Sequence, residues 1–301
     1  MPTLFHHLLT ESAERHGDRI AINHRGTGTS YDSLADLARS AAAGLREIGL
    51  QRLDRVAVYL PKQIETVASF FAASFAGGVF VPVNPLLKAE QVVYILRNCE
   101  VRILVTTTDR WKQVRAELAA DSPLRCVVLV DSGQSTDSEI AWTDLRNAPP
   151  AAWITERQAI DIDMAAILYT SGSTGKPKGV VLSHRNMLCG AESVSTYLEN
   201  HADDRLLAVL PFSFDYGLSQ VTTAFRVGAS AVLMDYLFAR DVVRIVEEQK
   251  ITGLAAVPPI WIQLAELEWA KSVNTHLRYI TNSGGRMPRA TLDKLRKSLP
   301  K

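Results

Sequence analysis

Short apolar runs alternate with helix-period segments along almost the whole chain, and this alternation limits the available folds more than any other feature. The segment "YDSLADLARSAAAGLREIGL" puts Leu34, Leu37, Ala38, Ala41, Leu45 and Ile48 on one helical face, and Gly49 is placed to end it. The run "RVAVYL" follows, short enough for a strand and stopped by Pro61. The same exchange recurs through helix "KQIETVASFFAASFA", strand "VFVPV", helix "KAEQVVYILRNCE", strand "RILVTT", helix "DRWKQVRAELAA" and strand "CVVLV". Strands that are apolar at nearly every position are those of a parallel sheet covered on both faces. The expected class is therefore α/β, with mainly parallel sheets flanked by helices.

Between residues 131 and 153 the text turns polar and then carries Pro149 and Pro150, which marks the expected boundary between two α/β subdomains, 1–155 and 156–301. Beyond it the alternation resumes with strand "AAILY" and runs to a last helix, "PRATLDKLRKSL". With 301 residues, 47% of them hydrophobic, the chain is long enough to bury a core in each unit. The uncharged stretch 66–87 has the length of a membrane span, but Gly77, Gly78, Pro82, Asn84 and Pro85 interrupt it, so a buried helix turning into a strand is expected. The N-terminus reads as a short amphipathic helix stopped near Gly17 and has no secretory pattern. A net charge of +1 provides no attraction for nucleic acid or an anionic membrane, so small polar ligands are the expected partners. Cys99, Cys126 and Cys189 are scattered and odd in number, which fits a reducing, cytoplasmic setting and implies no structural metal.

One segment departs from this ordinary composition. "YTSGSTGKPKGV", residues 169–180, follows the strand "AAILY", and ligands bind beyond the carboxyl ends of strands in open α/β sheets. Gly172, Gly175 and Gly179 allow close backbone approach, Thr170, Ser171, Ser173 and Thr174 offer hydroxyls, and Lys176 and Lys178 bring positive charge. That combination suits a polyphosphate. It is not a P-loop, because only two residues separate Gly172 from Gly175 and Pro177, not a hydroxyl residue, follows Lys176. The proline also removes an N–H that a helix-opening phosphate cradle would use.

"ILYTSGSTGKPKGVVLSHRNM" closely resembles the signature loop of the adenylate-forming (AMP-binding) superfamily, whose members include acyl- and aryl-CoA ligases, luciferases and the adenylation domains of nonribosomal peptide synthetases. The resemblance extends over nearly the whole chain, because "VFVPVNPLL", "LPFSFDYGLSQ", "AAVPPIWIQL" and "ITNSGGRMP" fall in the family's order. It implies the N-terminal domain fold of these enzymes and an ATP- and Mg2+-dependent activation of a carboxylic acid as acyl-AMP, followed by transfer to a thiol, either CoA or a carrier protein's phosphopantetheine. By resemblance, Thr170, Ser171, Gly172, Ser173, Thr174, Gly175 and Lys178 surround the β- and γ-phosphates, Thr170 also stands near magnesium, and Lys176 is a loop charge. A carboxylate resists thiols because its leaving group would be oxide. A mixed anhydride with AMP supplies a stabilised leaving group, and the charge that grows on the phosphates calls for positioned N–H groups, hydroxyls and lysines.

Where many acyl-CoA ligases resemble L-P-x-F-H-x-x-G, this chain has Phe214 in the histidine position, and Phe214-Asp215 resembles the Phe-Asp of amino-acid adenylation domains, whose aspartate pairs with the substrate ammonium group. Asp215 equally suits an N-cap on a helix starting near Tyr216. Phe214, Asp215, Tyr216 and Trp261 are the candidate acid pocket, although Trp261 and Ile262 also fit a core-facing stripe. In "TNSGGRMP" the resemblance places Ser283, Gly284, Gly285 and Arg286 at the border of the adenine pocket, while a plain strand-to-helix turn with Pro288 opening the next helix would use the same residues. His184 reads as a helix-start histidine without a catalytic role.

The chain ends at Lys301, before the family's adenine-stacking aromatic, magnesium glutamate, ribose-binding aspartate, hinge and small C-terminal domain with its catalytic lysine. The expectation is an incomplete N-terminal part of an AMP-forming acid–thiol ligase that adenylates poorly by itself. The alternatives are an amino-acid-activating ligase and a nucleotide-binding fragment without turnover. Strand edges left open would promote a homodimer.

Overall fold

The computed structural model of the protein describes residues 3–147, 159–170 and 176–299. Two sheets carry the fold. The first runs in the order β7 (Glu139–Ala141), β6 (Cys126–Leu129), β5 (Val101–Thr106), β3 (Arg55–Tyr59), β4 (Val79–Pro82), β8 (Met164–Thr170) and β9 (Lys178–Ser183), parallel except between β8 and β9. The second runs β13 (Tyr279–Asn282), β12 (Gly253–Ala256), β10 (Arg205–Ala208), β11 (Ser230–Leu233), β1 (Ile20–His24) and β2 (Thr27–Ser30), parallel except between β1 and β2.

Sheet membership crosses residue 155 in both directions. β1 and β2 belong with strands from residues 205–282, and β8 and β9 belong with strands from residues 55–141. The short N-terminal hairpin has no core of its own. It is held by parallel pairing of Ile22 with Ala231, both fully buried.

Helices fill the space between and outside the sheets. Between them lie α1 (His7–His16), α2 (Tyr31–Glu47), α3 (Ile64–Phe75) and α8 (Asp215–Val227), whose apolar faces form one core with Val56 and Phe80 of the first sheet and Leu206 and Ala231 of the second. The face of the first sheet away from this layer is covered by α4 (Ala89–Asn98) and α5 (Thr108–Glu117), and the short α6 (Trp142–Arg146) packs its Leu145 against α2. The outer face of the second sheet is covered by α9 (Ala239–Glu248), α10 (Pro258–Leu264) and α11 (Arg289–Ser298), while α7 (His184–Tyr197) lies against α8. The uncharged stretch 66–87 is α3 from its third residue onward, the strand β4 and the turn after it. α3 is apolar all round because both sheets press on it, and Phe70 and Phe71 are buried there. Among the described residues no helix is long and apolar enough to cross a membrane.

Candidate functional site

The glycine-rich segment joins two antiparallel strands, not a strand and a helix. β8 ends at Thr170 and β9 begins at Lys178, the two residues face each other in the ladder, and the Thr170 hydroxyl donates to the Lys178 carbonyl at 3.5 Å. This geometry separates the segment from a P-loop by topology as well as by spacing. Ser171, Gly172, Ser173, Thr174 and Gly175 lie outside the described residues. Both ends of the connector are tied to α4: the Tyr169 hydroxyl donates to Asn98 Oδ1 at 2.6 Å, and the Tyr94 hydroxyl donates to the Pro177 carbonyl at 3.2 Å.

Beside the hairpin opens a cleft of roughly 800 Å³. Its walls are Tyr169, Thr170 and Val180 of the hairpin, Gln91 and Ile95 of α4, Met187 and Val194 of α7, and the turn that carries Phe214 and Asp215. The turn is held close because Gly217 packs on the Pro211 carbonyl, where any side chain would collide. Asp215 is the first residue of α8 and not its cap. Phe214 occupies the cap position, and no side chain caps this helix end. Among the described residues Asp215 has no ion-pair partner, and desolvation by the surrounding protein pushes its carboxyl above the ordinary carboxylate value.

Tyr216 and Trp261 do not reach this cleft. Trp261 is completely buried in the core outside the second sheet, and its indole N–H is accepted by the Ala256 and Thr281 carbonyls at 3.0 and 3.1 Å. The Tyr216 hydroxyl pairs with Thr281 Oγ1 at 2.5 Å, and burial raises its pKa to about 12. Both side chains hold the end of β13, the strand that delivers Ser283, Gly284, Gly285 and Arg286. That turn is exposed. Gly284 has φ +74°, the Asn282 amide donates to the Gly285 carbonyl at 2.8 Å, and a Cβ on Gly284 would sit 3.3 Å from Val257 and 3.7 Å from the Phe214 ring. Phe214 thus stands between the cleft and this turn. Ile262 is exposed, and buried His184 accepts from the Phe5 N–H through Nδ1 at 3.0 Å, so it faces the N-terminal helix and not the cleft.

A second cleft, of roughly 920 Å³, lies across the carboxyl ends of β3, β4, β10 and β11 and shares Pro82, Asn84, Pro211 and Ser213 with the first. Its wall includes Lys62, which is buried and donates to the carbonyls of Val209 at 2.9 Å and Met234 at 2.5 Å, tying β3 to the opposite sheet. Burial lowers its pKa to about 8. Nothing in the sequence separated Lys62 from the helical segment that follows it, because its partners are backbone carbonyls far along the chain.

A family model described as "AMP-binding enzyme" matches residues 9–301. The chain belongs to this family of adenylate-forming enzymes. This AMP-binding chain is 28% identical over 283 residues to a long-chain-fatty-acid–CoA ligase of Bacillus subtilis, covering 85% of the chain and 50% of that ligase. It is equally 28% identical over 296 residues to tyrocidine synthase 3 of Brevibacillus parabrevis, covering 97% of the chain and 4% of that synthase. Its fold superposes on VinN, solved in complex with L-aspartate, with a TM-score of 0.79 and 26% identity over 99% of this chain and 73% of that one. The chain thus spans half or less of the curated relatives.

Of the described residues, the Thr170 hydroxyl at the hairpin mouth is an oxygen donor of the kind magnesium accepts. Among them no cluster of three carboxylate, histidine or cysteine side chains could hold a metal, and the donor offered at the hairpin mouth is the Thr170 hydroxyl, beside the Lys178 charge. Magnesium commonly keeps several waters and is held through substrate phosphates with few protein ligands.

Proposed function

We propose that the protein activates a carboxylic acid with ATP and passes the acyl group to the thiol of CoA, with this chain as an incomplete N-terminal part of the ligase. The observation that carries the proposal is the convergence on one cleft of Thr170, at the mouth of the hairpin, and the Phe214–Asp215 turn, with Lys178 paired to Thr170 in the ladder. A phosphate chain held at the first would face an acid carboxylate held at the second. The Thr170 hydroxyl and Lys178 ammonium bind and orient the β- and γ-phosphates, together with Ser171, Gly172, Ser173, Thr174 and Gly175. Bound with the nucleotide, magnesium would neutralise phosphate charge as pyrophosphate departs. Ser283, Gly284, Gly285 and Arg286 border the adenine, on the far side of Phe214. The second cleft meets the first at Pro82, Asn84, Pro211 and Ser213, and this supports it as the approach for the thiol.

A second reading draws on Asp215: a carboxylate without a cation partner among the described residues, at the wall of the cleft, suits an acid that carries an ammonium group, loaded onto a carrier-protein thiol. The named complex of VinN with an amino acid agrees with this reading.

ATP–pyrophosphate exchange with fatty, aryl and amino acids side by side tests the proposal on the 301-residue chain and on a form extended to the family's full length. Exchange with one acid class from the extended form alone is expected, since losing a major electrostatic contact costs roughly 10²–10³ in rate. Robust exchange from the 301-residue chain would refute its incompleteness. ATP binding by the extended form without exchange for any acid would establish a binding protein instead.

A further inference from the structure

Lys62 is a buried amine for which the proposed reaction has no use. Its side chain is 6% exposed and belongs to the wall of the second cleft, beside the Phe212 ring, whose centroid lies 5.8 Å from Nζ. Nζ donates to the Val209 and Met234 carbonyls at 2.9 and 2.5 Å, and among the described residues it makes no third hydrogen bond. The carboxylate facing it, Asp235, stands 4.0 Å away and uses the same Oδ1 to accept the Lys62 backbone N–H at 3.3 Å. A neutral amine has two N–H donors and one lone pair, so the two carbonyls satisfy it and leave the lone pair uncommitted, whereas an ammonium keeps a third N–H without an acceptor. Burial acts in the same direction and lowers the pKa to about 8.

The geometry points to Lys62 as a modification site: an amine that takes an acyl group from a mixed carboxylic–phosphoric anhydride entering the second cleft. The class of donor rests on the reading given above, because an acyl-adenylate formed in the first cleft is such an anhydride and the two clefts share Pro82, Asn84, Pro211 and Ser213. Phe70, Phe212 and Leu233 in the wall offer apolar contacts to the acyl chain. In the step, the Nζ lone pair attacks the acyl carbon and a C–N bond forms. The bond from that carbon to the phosphate oxygen breaks, the phosphate leaves with the electron pair, and the nitrogen releases one proton to water. The resulting amide is uncharged and has one N–H for two carbonyls. Acylation therefore cuts one tie between β3 and the second sheet and places the acyl chain in the cleft proposed for the thiol.

Acetyl phosphate, a mixed anhydride supplied from outside, tests the site on the 301-residue chain without calling on its own catalysis. Peptide mass spectrometry follows acetylation of Lys62 against that of the exposed Lys250 and Lys271, in buffer and in urea. At about pH 7.5 an amine titrating near 8 is roughly a quarter free and an ordinary lysine about one part in a thousand, so Lys62 should react at least about tenfold faster than either in the folded chain and no faster in urea. Asp235→Asn keeps an acceptor for the Lys62 backbone N–H but removes a charge that favours the ammonium, and should speed acetylation of Lys62 about two- to fivefold. Acetylation of Lys62 no faster than that of the exposed lysines in the folded chain, or a preference that survives in urea, overturns the assignment. An unchanged rate in Asp235→Asn overturns the part given to Asp235. If Lys62 reacts as expected while the exchange assay finds no acid activated, the reactive amine stands and the acyl-adenylate falls as its donor.

Discussion

At the residue scale, the informative group is a carboxylate without a cation. Asp215 opens the first turn of α8 with no ion-pair partner among the described residues, and desolvation holds its carboxyl above the ordinary value. The sign of the consequence follows: a raised carboxyl favours the protonated folded state, so Asp215 lowers stability as pH rises through its folded-state pKa. Asp215→Asn should raise the melting temperature at neutral pH. For an acid bearing an ammonium group, the same substitution should raise KM about 10- to 100-fold, the equivalent of a hydrogen bond to a charged group. For an acid without that group KM should hardly move, and substrate kinetics on the full-length form separate the two readings. The pairing of Phe214 with Asp215 was legible in the sequence. The fate of Trp261 was not, since an amphipathic stripe places a side chain on a face without saying whether a cleft or a core lies opposite.

At the element scale, α1 is held by a titratable lock. His184, buried at the start of α7, accepts the Phe5 N–H, and burial lowers its pKa to about 4, with Asp163 opposing that shift. An imidazole whose pKa falls on folding leaves stability complete above its unfolded value of about 6.5 and removes it as pH drops from there toward 4. At about 1.4 kcal/mol per pH unit, roughly 3 kcal/mol of docking is lost by pH 4. Hydrogen exchange should show α1 amides opening in that window ahead of those in β3 and β5. A pH-independent profile for α1 would discount the lock. Most helices were visible from their period, within a few residues at the ends. β9 was not, because "KGVVLS" continues the motif without a break and has exposed residues on both faces, so neither alternation nor a continuous apolar run marks it. β1 and β2 were missed for a related reason: "TGTS" is polar and half exposed, and it becomes a strand by pairing with β1.

For the whole molecule, exchange of strands between the halves matters most. A chain cut near residue 155 would strip β1 and β2 from the second sheet and β8 and β9 from the first, leaving each half with an open core. Fragments 1–155 and 156–301 expressed separately should show no cooperative thermal transition. A 156–301 fragment that melts cooperatively would show that the interleaved strands are dispensable. Lys62 adds a second link between the sheets, its ammonium shared between carbonyls of β11 and β10 neighbours across the gap.

Local patterns were enough to specify the α/β class, the helix faces, the burial of α3 and the position of a glycine-rich segment after a strand, because each depends on residues within a turn or two of one another. Three matters depended on contacts between residues well separated along the chain, beyond the reach of a local pattern: which sheet each strand joins, that Tyr169 and Pro177 are bonded to α4, and that Asp215 faces a cleft while Tyr216 and Trp261 support β13 behind it. Periodicity defines a buried face but leaves its partner open. That choice is made only when two sheets and the helices between them compete for the same apolar surface.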